Sequence, residues 1–328
     1  MCTRVLYRGQ DDRVVVGRSM DWMADVGTNL WAFPRGMART GRAGEGSMTW
    51  TSRFGSVIAS AYEICTTDGL NEAGLVANLL WLAESEYPTG QDEPNAVALS
   101  LWAQYVLDMF GSVAEAVEAL TAAPLAVKSL EVPGQDRLAT VHLSMSDRSG
   151  DSAIIEYIDG IQVIHHDPSY RVMTNSPAFA KQLAINEYWK QIGGDVMLPG
   201  TNRAADRFVR ASFYIDAIPR TDDPFLAVAA VLSVMRNVSV PYGIATPGEP
   251  NISTTRWRTV ADQEDLRYVF ESALSPNTFW VELTKLDLSE DAPTLRLALG
   301  DGGRTVYAGD ATAAFEEATP FTFLAATA

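Results

Sequence analysis

The sequence predicts an α+β fold in which sheet layers lie inside and helix layers lie outside. Two observations carry this prediction. Strand-like and helix-like segments stand in separate blocks along the 328 residues, and their spacing is too irregular for repeated βαβ units. No Pro-, Gly- or Ser-rich linker divides the chain, so we expect a single domain over residues 1–328.

The first third of the chain is rich in predicted strands. The segments Thr3–Arg8 and Arg13–Arg18 flank the turn-forming letters "GQDD", which predicts a β-hairpin. This hairpin would bring Arg18 to the same end as Cys2. Further strands are expected in "TNLWAF", "SVIASAY" and "GLVANLLWL".

Two helices are expected next. Apolar residues at steps of three and four predict the first one, at Leu99, Trp102, Val106 and Met109. Asn95 precedes this pattern and suits its N-cap. Ser112 and Glu115 have the spacing of a capping box for the second helix. We expect this helix pair to cover one face of a sheet.

The remainder of the chain repeats the alternation of strand and helix blocks. Strands are expected in "LATVHLSMSD", "SAIIEYI", "IQVIHH" and "YRVMTN", and later in "TTRWRTVAD", "LRYVFES" and "TFWVEL". Helices are expected at Ala178–Gln191, Ala204–Ala217 and Pro224–Met235, the last one capped by Asp223. The pair His165–His166 ends a strand before "DPS", which is typical of an exposed turn.

Composition argues against several classes of protein. The net charge of -16 repels nucleic acid and anionic membranes, so neither is expected as a partner. Two cysteines and three histidines do not supply a disulfide framework or a structural zinc site, and we expect no metal and no cofactor. No apolar run approaches the ~20 residues that span a bilayer. Phosphate-loop, zinc-protease and serine-elbow motifs are also missing from the sequence.

The N-terminus carries the main candidate for chemistry. Cys2 follows Met1 directly, so removal of Met1 would leave one residue with a thiol nucleophile and a free α-amine base. Their ordinary pKa values, ~8.5 and ~7.7–8.0, permit proton exchange without a histidine. Arg18 would favour the thiolate, and Asp21 could bind the amine or thiol. From spacing alone, a structural Cys2 and a surface ion pair of Arg18 with Asp21 are the favoured interpretations.

Five motifs together resemble those of the choloylglycine hydrolase family, which contains bile salt hydrolases and penicillin V acylases. They are "MCTRVLY", "GRSMDW", "DGLNEAGL", "MTNSP" and "ADRFVR", and they stand in the order seen in that family. The resemblance implies a four-layer αββα sandwich of the N-terminal nucleophile hydrolase type. It also implies an amidase that hydrolyses linear, non-peptide C–N bonds, with Met1 removed in the active form.

The same resemblance implies roles for individual residues. Cys2 matches the nucleophile, while Arg18 and Asp21 match the arginine and aspartate beside it. Asn175 matches the asparagine that helps to form the oxyanion hole, and Arg207 matches the second arginine of the site. Read without the resemblance, Asn175 in "NSP" also suits a turn, and Arg207 beside an apolar helix stripe could extend to solvent.

Two tryptophans bear on the acyl group. Trp81 stands where the related bile salt hydrolases carry an asparagine, and Trp22 follows Asp21. A tryptophan at each of these two positions resembles the pattern of the penicillin V acylase-like branch of Gram-negative bacteria. Two indoles would form an aromatic acyl pocket, although both also suit a protein core. The main-chain N–H of Trp81 could still serve the oxyanion hole.

We therefore expect penicillin V as the substrate. N-acyl homoserine lactones, whose hydrolysis quenches quorum sensing, are the first alternative, and conjugated bile salts are the second. An inactive ligand-binding member of the family is the non-enzymatic alternative.

A small-molecule amide and further copies of the chain are the expected partners. The resemblance implies a homo-oligomer such as a tetramer. Gram-positive relatives build their tetramer with an insertion between the positions of Asn175 and Arg207, which are only 32 positions apart here, so a different homo-oligomer is the alternative. No signal peptide is visible, which places the chain as written in the cytoplasm; a periplasmic protein with a trimmed signal is the alternative.

Overall fold

A computed structural model of the chain describes residues 2–10, 13–90, 93–194, 196–300 and 304–327. Met1 and the predicted turn residues Asp11 and Asp12 lie outside these described residues. The strands up to residue 128 are β1 (Cys2–Arg8), β2 (Val14–Asp21), β3 (Leu30–Phe33), β4 (Ala38–Thr40), β5 (Thr49–Thr51), β6 (Ser56–Ala61), β7 (Cys65–Asn71), β8 (Val76–Trp81), β9 (Ala96–Ala98) and β10 (Ala126–Lys128).

The later strands are β11 (Val141–Ser146), β12 (Ser152–Ile158), β13 (Ile161–His166), β14 (Val172–Met173), β15 (Ala245–Thr246), β16 (Glu249–Ser253), β17 (Thr255–Asp262), β18 (Arg267–Ser272), β19 (Thr278–Glu282), β20 (Leu295–Leu297), β21 (Gly309–Asp310) and β22 (Glu316–Glu317). The helices are α1 (Leu99–Met109), α2 (Val113–Ala122), α3 (Phe179–Ile192), α4 (Ala204–Ala217) and α5 (Pro224–Asn237). None of the helices in the described ranges combines the length and the apolar character needed to cross a bilayer.

Two large sheets and two helix layers form a four-layer sandwich. Within the described residues, one sheet has seven strands in the order β14-β1-β2-β17-β18-β19-β21, and the other has nine in the order β13-β12-β11-β8-β7-β6-β3-β20-β22. Helices α4 and α5 pack on the first sheet, and α1 and α2 pack on the second. The predicted α+β class and the αββα order are confirmed, as is the covering of one sheet by α1 and α2.

The predicted N-terminal hairpin is formed by β1 and β2. These strands pair in antiparallel register, with Cys2 opposite Met20 and Arg4 opposite Arg18. Every residue of β2 is buried because one face meets the second sheet and the other meets α5. Gly17 allows this close approach, since a Cβ at that position would lie 2.6 Å from a methyl group of Val231 on α5.

The helix caps agree with the sequence in two places and differ in one. Asp223 accepts hydrogen bonds from the first turn of α5, and Ser112 accepts one from the N–H of Glu115 at 3.2 Å. The Glu115 carboxylate closes on the N–H of Gly111 rather than on that of Ser112. The prediction that Asn95 caps α1 is wrong, because Asn95 has φ 61° and leads into β9, which pairs with β10.

Candidate active site

Cys2 begins β1 and is held at both of its main-chain groups. Its nitrogen donates to Asn175 Oδ1 at 2.6 Å, and its carbonyl oxygen accepts from Arg207 Nη1 at 2.7 Å. Both partners come from segments beyond the hairpin: Asn175 follows β14, the strand next to β1, and Arg207 comes from α4, which packs on that strand. The residue is 4% exposed, so the thiol lies inside the protein rather than on its surface.

The guanidinium of Arg18 lies beside this thiol. Its Nη2 is 3.9 Å from Cys2 Sγ and donates to the carbonyl oxygen of Leu79 at 3.1 Å. The same group stacks over the ring of Trp257 at 4.4 Å from the ring centre. The positive charge of Arg18 is therefore held next to the thiol of Cys2.

Asp68 lies behind Arg18, and sequence reasoning did not single it out. Its Oδ2 is 3.9 Å from Arg18 Nε and accepts from Asn78 Nδ2 at 2.7 Å, while its Oδ1 accepts from the hydroxyl of Tyr268. Burial raises the pKa of this carboxyl group, and Arg18 acts in the opposite direction. Asp68 opens the motif "DGLNEAGL", which was the available signal for it.

The side chain of Asn175 connects three parts of the site. Its Oδ1 accepts from Cys2 and also from Arg207 Nη2 at 2.9 Å, and its Nδ2 donates to the carbonyl oxygen of Trp81 at 2.6 Å. An amide nitrogen carries two protons, so Nδ2 has a second one for another acceptor. The main-chain oxygen of Asn175 is itself fixed by Gln182 at 2.9 Å.

Arg207 and Asp21 complete the polar side of the site. Arg207 is fully buried, donates to Asn202 O at 3.0 Å and contacts the hydroxyl of Thr3. Burial lowers its pKa, while the Asp21 carboxylate, 3.9 Å away, raises it. Asp21 also accepts from Thr255 Oγ1 at 2.6 Å. The five polar residues predicted from the sequence therefore lie together, and Arg207 points into the site rather than to solvent.

An apolar cavity of about 110 Å³ opens next to Cys2. Trp22 and Trp81 both line it, with ring centres 5.4 Å apart and planes inclined by 42°. Trp22 donates to the hydroxyl of Tyr62 at 3.0 Å, and the guanidinium of Arg137 stacks 4.1 Å from the centre of the Trp81 ring. Both indoles are thus buried and also form the wall of the cavity.

The second cysteine, Cys65, lines the same cavity. Burial raises the pKa of its thiol to about 12, although the charge of Arg18 acts to lower it. Cys65 therefore stays a neutral thiol at ordinary pH and lacks the nucleophilic thiolate form.

A family model provides the deciding comparison. The model of linear amide C–N hydrolases, choloylglycine hydrolase family, matches residues 2–297. The chain belongs to the choloylglycine hydrolase family. It is therefore an enzyme that hydrolyses linear amide C–N bonds, and the expectation of an inactive relative is not supported.

Individual relatives place the chain within the choloylglycine hydrolase family. The penicillin V acylase of Pectobacterium atrosepticum is 52% identical over 98% of this chain and 92% of its own length. The bile salt hydrolase/transferase of Clostridium perfringens is 24% identical over 88% of this chain and 94% of its own length. The resemblance to the penicillin V acylase-like branch is confirmed.

Solved structures agree with this placement. The penicillin V acylase from Agrobacterium tumefaciens matches with a TM-score of 0.92 and 57% identity, covering 98% of this chain and 99% of that one. A conjugated bile acid hydrolase from Clostridium perfringens matches with a TM-score of 0.76 at 21% identity, covering 90% and 96% of the two chains. That second match shows the shared fold, which is the predicted N-terminal nucleophile hydrolase type.

Proposed function

We propose that this enzyme is a penicillin V acylase whose nucleophile is Cys2, freed by the removal of Met1. The observation that carries the proposal is the 2.6 Å hydrogen bond from the Cys2 nitrogen to Asn175, made at the edge of an aromatic cavity. Once Met1 is removed, that nitrogen is an α-amine on the same residue as the thiol. Nucleophile and base are then a few bonds apart, and no histidine is needed.

The proposed reaction has two halves. The α-amine takes the thiol proton, and the Cys2 thiolate attacks the acyl carbonyl carbon to form a C–S bond. The C–N bond then breaks as the protonated amine gives its proton to the leaving nitrogen. In the second half, water enters, the α-amine takes one of its protons, and the hydroxide attacks the thioester carbon. The C–S bond then breaks, and the sulfur takes the proton back from the amine. The products are a carboxylic acid and an amine, and the thiol and α-amine are regenerated.

The polar residues have complementary roles in this proposal. Arg18 favours the thiolate, and the second Nδ2 proton of Asn175, with the main-chain N–H of Trp81, stabilises the oxyanion. Donors of this kind contribute about 3–4 kcal/mol each in measured enzymes. Arg207, with Asp21 beside it, holds Cys2 and Asn175 in their relative positions.

The cavity supports an aromatic acyl group. A phenoxyacetyl ring would lie against Trp22 and Trp81, whose inclined planes offer two faces to it. N-acyl homoserine lactones are the second candidate, because Val26, Ile64 and Leu130 extend the lining with aliphatic side chains that suit a linear acyl chain. Conjugated bile salts rank third.

A substrate panel on protein with a verified N-terminal cysteine tests the proposal. Intact-mass spectrometry should show loss of Met1, and kcat/KM should be highest for penicillin V among the three amide classes. Cys2→Ala should lower kcat by a factor on the order of 10⁴ or more, since the nucleophile is lost. Cys65→Ala is the matched thiol control: because Cys65 only lines the cavity, its loss should change KM rather than abolish turnover. Full turnover by the Cys2 variant would show that the nucleophile is another group. Full turnover by enzyme that retains Met1 would show that the base is not the α-amine of Cys2.

We also propose that the enzyme forms a homo-oligomer. Tyr188, Ile192 and Met197, at and just beyond the C-terminal end of α3, expose apolar side chains that a neighbouring copy could cover. Light scattering coupled to size-exclusion chromatography would measure the assembly, and a monomer at micromolar concentration would contradict it.

A further inference from the structure

A buried ion pair lies behind Asn175, and neither of its residues belongs to the site described above. His142 is on β11 and Glu156 is on β12, one step beyond the paired residues Leu143 and Ile155. Each is 1% exposed, and His142 Nδ1 lies 3.0 Å from Glu156 Oε1. Charged groups with so little access to water persist only with good partners.

The hydrogen-bond partners of His142 show which of its ring nitrogens donates. Its Nε2 lies 2.9 Å from the carbonyl oxygen of Thr174, which can only accept. Its Nδ1 faces Glu156: burial would raise the pKa of that carboxyl, but the hydrogen bonds from His142 and His165 lower it to about 2. Nε2 of His142 therefore donates to Thr174, and Nδ1 lies against the Glu156 carboxyl group. Among the described residues, His165 is the other ionisable group in contact with the pair, and Arg207 lies beyond Asn175.

The ion pair holds the chain on both sides of Asn175. His142 binds the carbonyl of Thr174, the residue just before it, and Glu156 accepts from the N–H of Phe179, a few residues after it, at 3.0 Å. Phe179 is the first residue of α3, so the positive end of the helix also favours an ionised Glu156. The short segment that carries Asn175 is thereby attached at two points to one pair of side chains.

We propose that His142 and Glu156 are positioning residues that hold Asn175 in place for the reaction. Asn175 binds the Cys2 nitrogen and the Trp81 carbonyl, both at 2.6 Å, so a displacement of its backbone moves the base and the oxyanion donor together. A misplacement of about 1 Å can cost about 100-fold in rate. The proposal rests on the proposed function, because it takes Cys2 and Asn175 as reacting groups.

The protonation of His142 can be measured without any substrate. The chain contains three histidines, so ¹⁵N-histidine NMR can resolve each ring. We expect Nε2 of His142 to carry the proton that it donates to Thr174. His166, which is exposed beside Asp151, serves as the internal comparison. An Nε2 without a proton at neutral pH would overturn the proposal, whether or not penicillin V is the substrate, because His142 could not then hold Thr174.

Kinetics then separate positioning from folding. His142→Gln should lower kcat by about 10- to 100-fold and leave KM nearly unchanged, because the acyl cavity is untouched. His165→Gln is the matched control: it removes a contact to the same carboxylate, at 3.3 Å, but leaves the hydrogen bond from His142 to Thr174 intact, so it should keep kcat. Glu156→Gln can still accept from Phe179 and donate to His142, so it should retain most activity and leave the Nε2 proton of His142 in place.

The possible outcomes are distinct. A folded His142→Gln enzyme with normal kcat, or with a change confined to KM, would overturn the proposal. If that variant does not fold, Glu156→Gln decides: near-normal kcat with His142 protonated on Nε2 supports positioning by hydrogen bonds, and a loss above about 100-fold in folded enzyme refutes it. Failure of the wild type on every amide of the panel would instead refute the proposed function and leave the NMR result intact.

Discussion

At the scale of the residue, the guanidinium of Arg18 is held between the thiol of Cys2 and the carboxylate of Asp68. The guanidinium has the thiol on one side and Asp68 on the other, at 3.9 Å in each case. Asp68 is in turn fixed by Asn78 and Tyr268. Arg18 and Asp68 are each 1% exposed, so water cannot solvate either charge if the other is removed.

Asp68→Asn should therefore destabilise the fold strongly. The amide keeps the shape of the side chain but leaves a buried guanidinium without its counter-charge, which costs about 3–5 kcal/mol in comparable cases. Urea unfolding measures the change. Glu187→Gln is the control because it breaks the exposed pair with Lys190, worth less than about 1 kcal/mol. Equal stability of the two variants would show that Asp68 does not carry this charge.

Single residues also show how much of the site could be predicted from the sequence. Cys2, Arg18, Asp21, Asn175 and Arg207 were all predicted from motifs and do lie together. Asp68 and the ion pair of His142 and Glu156 were not, because their partners are set by the packing of one strand on another. The pair His165–His166 does end a strand, β13, and His166 is exposed as expected. The expected turn is wrong for His165, which is part of that strand and reaches the buried Glu156.

At the scale of the element, the approach of α5 to β2 depends on one glycine. Gly17→Ala would place its Cβ 2.6 Å from Val231 Cγ1 and 2.7 Å from Met235 Cγ, so the helix or strand must shift. Overpacking of this kind costs about 1–3 kcal/mol. Gly200→Ala is the matched control, because a Cβ there meets nothing within 4 Å. Gly17→Ala should unfold at a lower denaturant concentration than Gly200→Ala. Equal unfolding midpoints would show that the helix and strand shift without a loss of stability.

Strand β7 shows why one element could not be predicted. Its sequence, "CTTDGLN", lacks the alternation of a half-buried strand, yet all seven residues are buried. Thr66 binds Gln104 on α1, Asp68 binds groups of the other sheet, and Asn71 binds carbonyl groups at the end of α1. A polar strand can be central when each polar group has a tertiary partner, and local patterns do not contain that information.

At the scale of the whole molecule, strand pairing brings together segments from the first and the last quarter of the chain. The helices of the second half and the strands β17, β18 and β19 were expected from local patterns. Their arrangement was not, since β17 inserts beside β2 at a separation of more than 230 positions. The layer order came instead from the resemblance of motifs to a known family.

The acid stability of the whole molecule should report on Glu156. Its pKa is lowered from 4.5 to about 2, so its contribution is fully present above the unfolded value and is lost as the pH falls from 4.5 towards 2. The shift corresponds to about 3 kcal/mol. Urea unfolding of wild type and Glu156→Gln across this range should show a shallower pH dependence in the variant. Parallel curves would show that Glu156 is not the group that titrates.

The long sequence separation of the hydrogen bonds at Cys2 has a consequence for biosynthesis. The thiol is synthesised before its partners Asn175 and Arg207, which follow 173 and 205 residues later. At about 5–20 residues per second, translation takes roughly 10–40 s to reach Arg207. During that interval Cys2 lacks the two partners that hold its main chain in the folded structure. The site around Cys2 can therefore assemble only after Arg207 has been synthesised.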